Sequence, residues 1–198
     1  MFDPLGFLAP VLIRGKLLFQ KVWKLNELSW DDLLPAEFID EWNNLVPDLI
    51  SLKNIALPRK IIDSKFNYEV HVFCDASPTA YGCVIYFLNF DKCNMLLSKP
   101  KVAPLKSRSL PQLELTSIYL GVKLVNNVLS ILNNIVVKNI FIWSDNEASL
   151  QWIKNSNSNI TFVKNRVSEI NELYEGFKFL YVNTKSNPAD LLTKGVTE

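Results

Sequence analysis

The chain has 198 residues, 48% hydrophobic and 21% charged, with 21 Lys+Arg against 20 Asp+Glu and a formal net charge of +1. Core material is ample, so wholesale disorder is excluded, and the near-neutral balance removes any bulk electrostatic drive toward nucleic acid and leaves only local patches. No run reaches the roughly 20 apolar residues of a membrane span, the start from Phe2 to Ile13 lacks the basic lead-in of a signal peptide, and three scattered cysteines (Cys74, Cys83, Cys93) outline neither a disulfide framework nor a zinc site, so a non-secreted protein in a reducing compartment is expected.

Residues 1–60 carry 7 basic and 8 acidic side chains and read as helices. Val11 to Trp23 is rich in Leu, Phe and Val. Ser29-Trp30-Asp31-Asp32 is a helix-start signal with early acids. Pro35 to Val46 sets Phe38, Ile39, Trp42, Leu45 and Val46 on one helical face. No lysine or arginine lies between Lys24 and Lys53, and Trp23, Trp30 and Trp42 fall at core-like positions, so this part reads as a packing element. Leu57-Pro58-Arg59-Lys60 reads as a linker, which divides the chain near residue 60.

The remainder alternates strand and helix signals. Tyr68 to Cys74 has strand periodicity and runs into the turn signal Asp75-Ala-Ser-Pro78. Tyr81 to Leu88 and Met95 to Val102 follow as strands, with Asn89 to Asn94 as the turn between them. Ser109-Leu-Pro-Gln112 is a capping box that opens a long helix to about Leu132. Asn139 to Trp143 suits a buried strand. Ser144-Asp-Asn-Glu147 is a second capping box, with a helix to about Lys154. A helix from Thr161 to Tyr174, a strand from Phe177 to Val182, and a last short helix with Asn187 as N-cap and Pro188 at N1 complete the order β-β-β-α-β-α-α-β-α. That order describes an α/β domain with an antiparallel front and parallel crossovers.

Four acids fall at the ends of these elements: Asp75 after the first strand, Glu114 in the opening turn of the long helix, Asp145 directly after the buried strand, and Asp190 in the last helix. Ligands of such sheets gather beyond the carboxyl ends of parallel strands, and adjacent first and fourth strands would bring Asp75 and Asp145 together there. Ser117 and Gly121 would let the long helix approach closely. A carboxylate cluster suits Mg²⁺ or Mn²⁺ rather than zinc, and two such ions about 4 Å apart can clamp an in-line phosphoryl displacement. Taken singly, each acid is also readable as a turn or helix-terminus residue.

The order strand-Asp, helix-Glu, strand-Asp, helix-Asp resembles the ribonuclease H fold, a mixed five-stranded sheet with flanking helices, here preceded by a small helical segment. More narrowly, Phe2-Asp-Pro-Leu-Gly-Phe-Leu-Ala-Pro10, Phe73-Cys-Asp-Ala-Ser77, Lys101-Val-Ala-Pro-Leu-Lys106, Leu110-Pro-Gln-Leu-Glu-Leu115, Trp143-Ser-Asp145 and Asn187-Pro-Ala-Asp190 resemble the BEL/Pao group of long-terminal-repeat retrotransposon polyproteins. The resemblance implies a ribonuclease H-like domain over residues 66–198 and a connection to reverse transcriptase over 1–60. It implies a Mg²⁺- or Mn²⁺-dependent endonuclease that holds two ions on Asp75, Glu114, Asp145 and Asp190 and cuts the RNA strand of RNA–DNA hybrids. The implied partners are the hybrid and the other parts of the same polyprotein, not a membrane, in a cytoplasmic virus-like particle or the nucleus. Many ribonucleases H carry a mobile His before the last acid. Here that loop is Asn183-Thr-Lys-Ser-Asn187, without His, where Lys185 is a possible substitute.

Lys99, Lys101, Lys106 and Arg108 form a basic run before the long helix, readable as a solvated loop or as phosphate contacts to a hybrid. Lys164 and Arg166 are a weaker second candidate. His71, roughly 13 Å from Asp75 at about 3.3 Å per strand residue, is too distant to share its metal. No Tyr-x-Asp-Asp polymerase signature is present. The rival reading is a degenerate or domesticated fragment that keeps the fold as a binding or scaffold module.

Overall fold

The computed structural model describes residues 2–25, 28–57, 60–63, 65–90, 92–132, 134–155, 159–173 and 176–195. Among these residues there are six α-helices and five strands: α1 (Ala9–Trp23), α2 (Ala36–Ser51), β1 (Asn67–Ala76), β2 (Ala80–Asn89), β3 (Lys92–Val102), α3 (Leu110–Ile131), β4 (Val136–Ser144), α4 (Glu147–Asn155), α5 (Thr161–Leu173), β5 (Phe177–Tyr181) and α6 (Asp190–Lys194). The sheet order is β3-β2-β1-β4-β5. The pairs β1/β2 and β2/β3 are antiparallel, and β1/β4 and β4/β5 are parallel. This is the mixed five-stranded α/β architecture expected. The expected linker residues 58 and 59 lie outside the described residues, as does Tyr174, the expected last residue of the fifth helix.

The alternation of β1 decides where the core sits. Val70, Val72 and Cys74 point to one face, where they meet Cys83, Ile85 and Phe87 of β2, Ile142 of β4, the apolar stripe of α3 and Val163, Val167 and Ile170 of α5. Close approach of α3 needs Gly121, where an added Cβ would lie 2.8 Å from Cys74 Sγ and 2.9 Å from Val72 Cγ1. Ser117, one turn earlier, is fully buried.

The opposite face is covered near the carboxyl end of β1 by α1 and α6, where Ala9, Val84, Ala189 and Leu192 form a small second core. The Phe2–Pro10 phrase makes this docking possible. Asp3 accepts from the amides of Phe7 and Leu8 at 3.1 and 2.9 Å. Gly6, at φ +73°, lies so close to β3 that a Cβ would fall 2.2 Å from the Ser98 carbonyl oxygen. Ser98 in turn donates its amide to Leu5 O (2.8 Å) and its hydroxyl to Gly6 O (2.6 Å). The N-terminal segment is therefore joined to the sheet. Further along the same face, His71 stacks with Phe141 and Trp143 and accepts a 3.1 Å hydrogen bond from Trp143 Nε1.

Several local expectations are corrected. Ser29–Asp32 is not a helix start: Asp32 Oδ2 accepts from the Ser29 amide at 2.6 Å in a turn, and α2 begins at Ala36. That helix passes through Pro47 to Ser51. The three N-terminal tryptophans are not core residues. Trp23, Trp30 and Trp42 are 62%, 89% and 49% exposed: Trp23 and Trp42 line the open side of the α1/α2 pair, and Trp30 lies in the turn before α2. The β2–β3 ladder extends to Asn89↔Lys92, shortening the expected turn. Ser144 is the last residue of β4, and the cap of α4 is Asn146, whose Oδ1 accepts from the Ser149 amide at 2.8 Å. Asn187 does not cap α6, which begins at Asp190. Its Oδ1 accepts from the Ala189 amide and its Nδ2 donates to Cys74 O at 3.0 Å, fastening the last segment to β1. Among the described residues no helix is long and apolar enough to cross a membrane.

Candidate metal centre

Because β1 and β4 are parallel neighbours with Cys74 opposite Ser144, the next residue of each chain, Asp75 and Asp145, emerges at the same edge. The α3 helix, opened by the Ser109/Gln112 capping box, brings Glu114 against that edge from the core side. Glu114 is the fifth residue of α3, one step beyond the opening turn in which it was expected. One carboxylate oxygen from each of Asp75, Glu114 and Asp145 lies within 4.8 Å of the others.

Burial dominates the electrostatics of this group. Asp75 and Glu114 are each only 4% exposed. Loss of solvent, reinforced by the charges of Asp75 and Asp145 and opposed by a hydrogen bond from the Ala76 amide, pushes Glu114 up to about 9. Burial also raises Asp75 to about 6; the Thr193 hydroxyl and Lys194 oppose this, while Asp145 and Asp190 add to it. Glu114 Oε2 and Asp145 Oδ1 are buried with no hydrogen-bond partner. Unpartnered buried carboxylate oxygens facing other carboxylates are costly as they stand. An all-oxygen donor set of this kind fits a hard divalent cation and not zinc.

Asp190 stands apart from this group. It lies in the first turn of α6, and its buried Oδ1 is 2.5 Å from Lys194 Nζ, an i,i+4 ion pair within the helix. The structure thus brings together three of the four expected acids and pairs the fourth with a lysine. That carboxylate holds the Lys194 ammonium above its ordinary pKa. Two residues not singled out from sequence belong to the site. Thr193 donates its hydroxyl to Asp75 Oδ2, and Lys194 faces Asp190. The only local signal for either was a hydroxyl and a base one turn after Asp190.

Of the basic run, Lys99 and Lys101 are exposed on edge strand β3, opposite Cys83 and Tyr81, and Lys106 is exposed in the following loop. Arg108 is half-buried, its guanidinium 4.0 Å above the Phe162 ring. Arg166, 4.1 Å from the Tyr119 ring and 5.5 Å from Phe162, joins it and is ion-paired to Glu169. Lys164 is exposed and apart from this stack. The loop before Asp190 holds a 3₁₀ turn, Thr184–Ser186, with Lys185 exposed.

No curated protein matches the chain. Among solved structures it is similar to RNase H1 from the halophilic archaeon Halobacterium salinarum NRC-1, at 10% identity and TM-score 0.48 over 64% of this chain and 93% of that one. LC11-RNase H1 in complex with an RNA/DNA hybrid is similar at 10% identity and TM-score 0.48, over 63% and 92% of the two chains. The foamy viral protease-reverse transcriptase in complex with dsDNA is similar at 13% identity and TM-score 0.48, over 93% of this chain and 40% of that one. The sequence itself decides the family, since its Pao retrotransposon-like RNaseH-like domain profile matches residues 1–146, spanning the N-terminal docking phrase and the first three acids. With that profile over most of its length, and with β1, α3 and β4 delivering Asp75, Glu114 and Asp145 to one sheet edge, the chain belongs to the Pao retrotransposon-like RNaseH-like domain family.

Proposed function

We propose that this protein is a divalent-metal-dependent endonuclease that hydrolyses the RNA strand of RNA–DNA hybrids during retrotransposon reverse transcription, working beside the polymerase and other parts of the same polyprotein in a cytoplasmic virus-like particle or the nucleus. The observation that carries this reading is the group of three carboxylates within 4.8 Å, two of whose buried oxygens have no partner. Asp75, Glu114 and Asp145 would hold Mg²⁺ or Mn²⁺. Asp190, released from Lys194, would complete the set for two ions. Ions held there would supply Lewis-acid stabilisation of the phosphate and a water of lowered pKa.

The chain's own residues do the rest. The parallel strand ends fix the spacing of Asp75 and Asp145. Burial of Glu114 excludes water from behind the site. Lys99, Lys101, Lys106 and Arg108 contact phosphates and position the duplex without reading its sequence, and stacking on Phe162 keeps the Arg108 guanidinium ordered for that contact. Recognition of hybrid geometry and 2′-hydroxyls needs no base contact.

One observation favours a second reading, a non-catalytic binding module: Asp190 is occupied by Lys194, and the loop before it lacks the His of many ribonucleases H. Cleavage of a labelled RNA–DNA hybrid with Mg²⁺ or Mn²⁺ separates the two. The nuclease reading expects RNA-strand cleavage that is abolished in both Asp75→Asn and Asp145→Asn, with folding retained. Binding of the hybrid without cleavage by the wild type supports the module.

A further inference from the structure

We propose that Thr193 is a positioning residue of the metal centre: its hydroxyl holds one oxygen of Asp75 so that the carboxylate cannot turn and the other oxygen remains free as a ligand. The inference rests on the metal-centre reading above and deepens it. Thr193 is 1% exposed and donates to Asp75 Oδ2 across 118 residues of chain. A hydroxyl has one proton, and two acceptors lie within reach, Asp75 and the backbone oxygen of Asp190 at 3.1 Å. The charged acceptor takes it, since hydrogen bonds to ionised groups are the stronger kind.

Thr193 can act this way only because its backbone is anchored on both sides of Asp75. Its carbonyl accepts from Ser77 Oγ at 3.2 Å, two residues after Asp75. Asn187, at the start of the same segment, donates to the carbonyl of Cys74, the residue before Asp75. Between these ties, Ala189 and Leu192 are buried against Val84 and against Ala9 of α1. The segment that carries Asp190 is thereby stitched to the strand that carries Asp75, and the orientation of one acid is tied to the placement of the other.

The test is Mn²⁺ titration of the full metal-free chain by calorimetry, with folding followed by circular dichroism. Partners that orient metal ligands typically contribute 10–100-fold in affinity, so Thr193→Val should weaken Mn²⁺ binding by about 10–100-fold while Thr193→Ser stays within about threefold of wild type. A cycle with Asp75→Asn, read on the metal-free melting temperature, isolates the contact from general packing. The effects of Thr193→Val and Asp75→Asn should be non-additive, because Asp75→Asn replaces the charged acceptor of the bond that Thr193→Val removes. This cycle decides the matter even if Thr193→Val lowers stability. Equal Mn²⁺ affinity in Thr193→Val and wild type, or strictly additive melting shifts, would overturn the role of Thr193 and leave the metal centre standing. Absence of Mn²⁺ binding by the wild type would overturn the metal centre itself, and this inference with it.

Discussion

Metal binding to this protein should be strongly proton-linked, because the ion and a proton compete for Glu114. Burial first, and then the Asp75 and Asp145 charges, push this carboxyl up to about 9. At pH 7 only about one molecule in a hundred then has Glu114 ionised. A ligand must be deprotonated to bind, so apparent affinity for Mg²⁺ should rise about tenfold per pH unit from 7 toward 9, approaching a hundredfold overall. Asp75, raised to about 6, adds a second dependence at lower pH. The assay is Mg²⁺ calorimetry at pH 7 in buffers of different ionisation enthalpy, which should reveal release of about one proton per site. Glu114→Gln should abolish that release and flatten the dependence above pH 7. A flat affinity between pH 7 and 9 in the wild type, or equal proton release in the two proteins, refutes the reasoning.

Asp75→Asn should stabilise the metal-free protein at pH 8. The folded pKa of Asp75 exceeds its unfolded value, so its ionisation destabilises the fold progressively as pH rises from about 4 through about 6. The gain should reach about 1–3 kcal/mol, a melting-temperature rise of several degrees that vanishes near pH 4. Neutralising Lys99, Lys101, Lys106 and Arg108 together should reduce the log–log salt slope of hybrid binding by about 3–4 if all four meet phosphates, and an unchanged slope would show a merely solvated loop. Gly6→Ala should destabilise the fold by more than about 1 kcal/mol, read as a lower melting temperature, because a Cβ at φ +73° would meet the Ser98 carbonyl. An unchanged melt would mean that the N-terminal segment is not docked through this contact.

Element order and three of the four acids were legible in the sequence because each is locally signalled. The alternation of β1 ends at Asp75, a capping box precedes Glu114, and an apolar run ends just before Asp145. The tryptophans look like core residues in the sequence because periodicity shows which face of a helix is apolar but not whether another layer covers it. Trp23 and Trp42 share the apolar face between α1 and α2 and remain largely exposed. Thr193 is not legible in the sequence: its partner lies 118 residues away, and only the docking of α6 on β1 and β2 brings the two together. The expected Ser144 and Asn187 caps do not form, for a related reason. Both residues are engaged by β1, Ser144 through ladder register and Asn187 through the Cys74 carbonyl, and that contact decides where the helix begins.

The same geometry explains how so much acid survives in a fold without an ion. Carboxylates this close and this buried repel one another, and the metal-free chain answers with two small positive substitutes. One is the proton retained on Glu114, which cancels a charge where solvent cannot. The other is the Lys194 ammonium, paired with Asp190 at the rim and close enough for its charge to act on Asp75. Neither substitute gives Glu114 Oε2 or Asp145 Oδ1 a hydrogen-bond partner. A divalent cation held by Asp75, Glu114 and Asp145 would neutralise the same charge and also satisfy those oxygens. The proton on Glu114 is therefore the group that an ion on these three acids would have to displace, and the ammonium on Asp190 is the one that recruiting the fourth acid would displace from the rim.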